Sequence, residues 1–358
     1  MLKYLGFVCL LISVAAQAAE VPERPAAPRP LRGAVVNCNA GQSIQAAVNA
    51  SVAPAEITVA GICVENVLIR DKDISLRGVQ TPLLDGIRSA VPGVPALIVR
   101  GSVIASITGL SFSNNQGPGA AIRDGANMTL ANCRFENNAA SGLRVDSGAF
   151  VVANDSTFTA NGGPAASTAD AQFFCISCDV SSVGPAVVAA RGSIVSLLDS
   201  VVTGVLGLVA QDRGSSADID CVTRDTPHAC SLNVSGFAAF GLAGGTASLI
   251  GAGEFSGQII ADDRGTVRLD GAQQIATTPG GAPNIADALG EIIVAPLAPA
   301  QSLLRGAEAA HFARVLFTGD SILKGSIRCS GAADAFLDPT VISSSGSTVS
   351  GCEHASVP

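Results

Sequence analysis

The chain has 358 residues, a formal net charge of −8, 39 glycines, no Trp and a single Tyr. The acidic balance argues against nucleic acid and against anionic membrane surfaces as partners. Abundant Ala, Val, Ile, Leu and Ser suit a narrow, layered interior better than a thick globular core.

In chain order, Lys3, the apolar run 5–16 and the small-x-small site Ala16-Gln17-Ala18 read as a secretory signal peptide over residues 1–18. The run is too short to span a bilayer and no later stretch qualifies, so membrane insertion is not expected. Cleavage would remove Lys3 and Tyr4, and a secreted or periplasmic location follows. Residues 19–34 hold Pro22, Pro25, Pro28 and Pro30 and read as a linker, because proline removes donors and favours extended backbone. Residues 35–358 then form one domain.

Self-similarity is the main signal in that domain. Gly125-Ala126-Asn127-Met128-Thr129-Leu130-Ala131-Asn132-Cys133-Arg134-Phe135-Glu136-Asn137-Asn138 aligns with Gly148-Ala149-Phe150-Val151-Val152-Ala153-Asn154-Asp155-Ser156-Thr157-Phe158-Thr159-Ala160-Asn161 at a period of 23. Phe112 and Asn115 occupy the same columns one step earlier. Another column reads Cys133, Ser156, Cys178, Ser200, Cys221. Short runs alternate in the manner of strands: Ile194, Ser196 and Leu198 share one side, and Val195 and Leu197 the other. Gly, Asn and Asp separate such runs. A repeat of about 22 residues with several short strands cannot bury a face alone, so the repeats must stack into parallel sheets. The period-2 texture argues against helical solenoids, and no six-residue beat marks a left-handed hexapeptide helix. The expected fold is all-β, a single right-handed parallel β-helix. The column Asn115, Asn138, Asn161 is expected to form a structural amide ladder between coils.

Three segments carry a resemblance. Gly41-Gln42-Ser43-Ile44-Gln45-Ala46-Ala47-Val48, Ile57-Thr58-Val59-Ala60-Gly61-Ile62-Cys63-Val64-Glu65-Asn66-Val67-Leu68-Ile69 and Ile74-Ser75-Leu76-Arg77-Gly78 resemble the N-terminal cap and first coils of secreted pectin-lyase-like β-helix proteins. The similarity runs from about residue 36 to 352 and rests on structural positions. It implies a short amphipathic helix over 42–50 that seals the core with Ile44, Ala47 and Val48. It implies closing coils from Gly325-Ser326-Ile327-Arg328-Cys329-Ser330 to Cys352, and it assigns no activity.

Nine cysteines follow the signal, and an oxidising compartment permits bridges. Cys38 with Cys63 and Cys329 with Cys352 are the expected staples of the two ends. Each closes a loop worth roughly 3 to 4 kcal/mol in the chain-entropy model. Cys221 with Cys230 would close an excursion over 222–229. Cys175 and Cys178 could bridge only across a turn. Cys133 reads as a buried small residue, and none of the cysteines reads as a metal ligand.

Candidate chemistry falls on residues before the repeat glycines: Arg123 and Asp124, Asp146, Arg191, Asp212 and Arg213, and Asp262, Asp263 and Arg264. They read either as turn residues or as a polar groove. In the groove reading, Arg191, Asp212 and Asp263 are candidate catalytic residues of a polysaccharide lyase or glycoside hydrolase. Arg123, Asp124, Asp146, Arg213, Arg264 and the loop residue His228 are candidate substrate contacts. Ca²⁺ is a possible cofactor through Asp212, Asp218 and Asp220, or through Asp262 and Asp263. His311 and His354 have no neighbouring constellation in the sequence. The absence of Trp and Tyr after the signal leaves only Phe to stack on sugar rings. Three functions stay open: a carbohydrate-active enzyme, a non-catalytic polysaccharide-binding module, and a structural or adhesive surface protein. A monomer is expected.

Overall fold

A computed structural model describes residues 31–80, 84–221, 230–251, 254–276, 283–296, 301–353 and 355–356. Strand after strand pairs in parallel with its counterpart one coil away, giving a right-handed β-helix. One sheet holds fifteen described strands, from Leu31–Asn37 through Asn127–Ala131 to Ala355–Ser356; this is face 1. The other sheet bends into two faces. Face 2 includes Ser111–Ser113, Arg134–Glu136 and Thr157–Asn161. Face 3 includes Val67–Arg70, Leu97–Arg100, Ala120–Arg123, Leu143–Asp146 and Ala166–Ala169. From Asp179–Ala190 onward, through Val201–Gln211 and Ser231–Leu242, one long strand crosses the bend between faces 2 and 3 with a register slip. The first strand begins at Leu31, inside the proline-rich stretch read as linker to residue 34.

Alternation decides which side chains enter the core. In Asn127–Ala131, Met128 and Leu130 point inward, while Asn127 and Thr129 face solvent. Val195 and Leu197 fill the interior, and Ile194 and Leu198 stand on the outer side of face 1. Like residues stack between coils. The rings of Phe112, Phe135 and Phe158 lie 4.9 Å apart in each step and nearly parallel. Beside them runs the amide ladder. Asn115 Nδ2 donates to Asn138 Oδ1 at 2.6 Å, and Asn138 Nδ2 donates to Asn161 Oδ1 at 2.9 Å and to the Phe112 carbonyl at 3.0 Å.

The Cys/Ser column has an equally local cause. The Ser156 hydroxyl accepts from the Cys133 N–H at 3.2 Å and donates to the Asn154 carbonyl at 2.9 Å. Ser200 does the same for Cys178 and Leu198, at 3.1 and 2.9 Å. A hydroxyl thus satisfies an amide at the corner that no strand pairing reaches.

The N-terminal end is sealed by the helix Ile44–Ala50, which buries Ile44 and Val48. Ser43 caps it by accepting from the Ala46 N–H at 3.1 Å, and Glu65 accepts from the N–H groups of Ile44 and Gln45 at 2.6 and 3.1 Å. Lys72 donates to the carbonyls of Val48, Asn49 and Ser51 at the other end. Among the described residues no helix is long and apolar enough to cross a membrane. Disulfides join Cys38–Cys63, Cys221–Cys230 and Cys329–Cys352. A fourth joins Cys175 and Cys178, because Ser177 adopts φ 54° and turns the chain so that the Cα atoms lie 5.9 Å apart. Cys133 is free and buried.

Candidate functional site

The turn from face 3 to face 1 explains the Asp/Arg column. Asp124, Arg191, Asp212 and Asp263 take left-handed φ values of 59°, 52°, 72° and 46°, as do Asp71 at 57° and Asp170 at 52°. Asp tolerates this region and Gly is unhindered in it, so Asp-Gly pairs are favoured in such turns. In later coils, however, Arg264, Leu289 and Phe312 hold φ values of 66°, 69° and 67°. Leu289 and Phe312 are half or more exposed there.

Within the column, neighbouring coils pair. Arg191 Nε lies 3.4 Å from Asp170 Oδ2, and the Arg191 N–H donates to Asp212 Oδ2 at 3.4 Å. Asp170–Arg191–Asp212 is therefore a charged ridge across three coils. Asp263 stands apart from it, beyond the coil that carries Ala243. Arg213 is exposed next to Asp212. Asp146 is not a turn residue. It ends the strand Leu143–Asp146 and accepts from Arg144 Nε at 2.6 Å. Arg123 and Asp124 pair loosely at 4.0 Å. His228 and His354 lie outside the described residues.

The ridge separates two hollows. On face 3 lies a trough of about 470 Å³ whose floor includes Ser167, Ala169, Val188 and Ala190. Arg144 and Asp146 close one end, and Arg191, Gln211 and Asp212 the other. Strand register explains the depression: Asp146, Ala169 and Ala190 occupy one outward position on successive coils. Small side chains there lie between longer ones. On face 1 a second hollow of about 350 Å³ is lined by Phe150, Gln172, Asp170 and Arg191. The Phe150 ring tilts against Phe174 at 5.6 Å. Arg191 and Asp170 thus serve the second hollow, and Arg191 serves both. Asp170, Arg144 and Phe150 were absent from the sequence-based set. Asp170 precedes Ala171 and so falls outside the charge-before-glycine pattern.

Further along face 1, half-buried Asp218 accepts from the Ser196 hydroxyl at 2.6 Å. Burial pushes its carboxyl above the usual range, the Ser196 bond opposes this, and Asp220 adds to the rise. His311, read as isolated, lies 2.6 Å from Asp287 one coil away, and its hydrogen bond holds the Asp287 carboxyl below the usual range. The set Asp212, Asp218 and Asp220 does not converge. Asp212 stands on the turn, whereas Asp218 and Asp220 lie along a face 1 strand. Among the described residues no group of three His, Cys, Asp or Glu could hold a metal ion.

Residues 56–205 match the family described as right handed beta helix region. Among solved structures, the catalytic unit of the thermostable GH87 alpha-1,3-glucanase from Streptomyces thermodiastaticus strain HF3-3 aligns at 13% identity. The alignment covers 92% of this chain and 71% of that one, with a TM-score of 0.38. A catalytic domain of GH87 alpha-1,3-glucanase in complex with nigerose aligns at 10% identity, covering 91% and 67%, also with a TM-score of 0.38. No curated protein sequence matches the chain.

Proposed function

We propose that this right-handed parallel β-helix protein is exported, loses residues 1–18, and binds a polysaccharide along face 3. The trough between Arg144 and Asp212 carries the reading. It is concave, lies on a rigid sheet, and spans four coils, roughly 14 Å at ~4.8 Å per coil. Its hydroxyl, guanidinium and carboxylate groups match the donors and acceptors of a sugar chain. Phe150, across the ridge, offers an apolar ring in a chain without Trp. Four disulfides support an oxidising compartment.

In this reading Arg191, Asp212 and Asp146 contact the glycan, and Arg123, Asp124, Arg213 and Arg264 lie along the same edge. The separation of Asp263 from Arg191 and Asp212 favours binding without turnover over catalysis by that trio. The test incubates purified chain, with and without Ca²⁺, with a polysaccharide panel and scores retention, new reducing ends and unsaturated products. Retention on at least one polymer without products is expected. No retention on any polymer overturns the proposal, and turnover abolished by Asp212→Ala replaces it with the enzyme reading.

A further inference from the structure

We infer that the bound polysaccharide is anionic and that Arg70, Arg100 and Arg123 form the ladder that recognises its charge; this rests on the glycan-binding reading above. The three arginines share one outward position of face 3 on consecutive coils. Arg70 pairs in register with Arg100, and Arg100 with Arg123. Parallel register sets them about 4.8 Å apart. Like charges stacked this closely repel, so such a column calls for counter-charge.

The chain supplies that counter-charge only in part. Arg70 Nε lies 3.0 Å from Asp71, and Arg123 Nε 4.0 Å from Asp124. The middle coil carries Gly101 at the turn, and Arg100 has no ion pair among the described residues. A hollow of about 260 Å³ lies against the ladder, lined by Arg70, Asp71, Arg100, Gly101 and Asp124. The Nε atoms of Arg100 and Arg123 are enclosed without an acceptor. Among the described residues no side-chain hydrogen bond engages the terminal amino groups of Arg100 or Arg123, which leaves those groups to meet a ligand. Those groups can hold a carboxylate or a sulfate through two parallel hydrogen bonds.

The same outward position continues into the trough. Beyond Arg123 it is occupied by Asp146, Ala169 and Ala190. A linear polymer lying along the solenoid axis would cross the arginine ladder and then enter the trough. A pyranose unit advances a sugar chain by about one coil rise, so acidic groups on successive sugars can meet successive arginines. Uronate carboxylates and sulfate esters present the same charged oxygens.

The experiment measures binding of the full chain to a polyuronate, a sulfated galactan and a neutral glucan of matched length, at salt from about 0.01 to 1 M, where the screening length falls from about 30 to 3 Å. One anionic polymer should bind at least tenfold more tightly than the neutral one and lose that advantage at high salt. Whether it is the polyuronate or the galactan identifies the charged group. Arg100→Gln and Arg123→Gln, checked for unchanged thermal unfolding, should each weaken anionic binding by about tenfold, the scale of one charged hydrogen bond. Arg100→Gln should leave neutral binding unaltered, and Arg100→Lys should restore only part of the loss. Equal binding of anionic and neutral polymers, or anionic binding indifferent to both Gln variants, overturns the inference while leaving the glycan reading standing. Binding of none of the three counts against both.

Discussion

Replacing Asn138 with Ala probes the amide ladder at its middle rung. Asn138 is 1% exposed and makes side-chain hydrogen bonds in both directions. Its Oδ1 is the acceptor for Asn115 Nδ2 at 2.6 Å, and its Nδ2 donates to Asn161 Oδ1 and to the Phe112 carbonyl. The substitution leaves two buried Asn115 donors without that acceptor, the side-chain Nδ2 and the backbone N–H, which donates to the same oxygen at 3.3 Å. Asn161 Oδ1 keeps one donor, the Asn138 backbone N–H at 3.1 Å. A buried group deprived of its partner costs about 1–3 kcal/mol. Two orphaned donors, with the lost bonds to Asn161 and the Phe112 carbonyl, together give about 2–6 kcal/mol. Equilibrium urea unfolding with amide hydrogen exchange would measure it, with the loss of protection centred on coils 111–169. A change below about 1 kcal/mol, the scale of a single neutral hydrogen bond, would refute the ladder as a cooperative device.

Three further outcomes follow from particular residues. Burial pushes the Cys133 thiol up to about 11, so alkylating reagents near neutral pH should label it only after unfolding; labelling of the native protein would contradict its place in the core. Asp218 has its folded pKa raised above 3.8, so its protonated form is favoured on folding. The stability it contributes is full below 3.8 and is lost as pH rises through the folded value. Urea midpoints for Asp218→Asn should therefore gain on wild type as pH rises through that window, and a flat or opposite trend would sink the assignment. Phe312 is 65% exposed at φ 67°, so Phe312→Gly should relieve left-handed strain and stabilise by about 1 kcal/mol, read by thermal unfolding; destabilisation would mean the ring makes contacts that outweigh the strain.

The fold was legible because a solenoid places equivalent residues in equivalent surroundings. Phe112, Phe135 and Phe158 repeat because each ring rests on the next, and Ser156 and Ser200 recur because each must satisfy a corner amide. The turn column was legible in the same way, since Asp before Gly marks left-handed backbone. The site was less so. The trough arises from the size of Ala169 and Ala190 relative to their neighbours across coils, which charge patterns do not reveal. Asp146 looked like its turn neighbours but is a strand residue tied to Arg144. The Cys175–Cys178 bridge depends on one backbone angle at Ser177, and the His311–Asp287 pair joins residues a full coil apart. Leu289 and Phe312 depart from the glycine pattern of the earlier turns.

Polysaccharide retention by wild type and by Ala169→Phe, compared side by side, tests the glycan-binding claim most directly. The substitution places a ring on the trough floor and removes no side-chain hydrogen bond. Polymer retained by wild type should pass the variant freely, at unchanged thermal stability. Equal retention by both proteins would contradict binding on face 3.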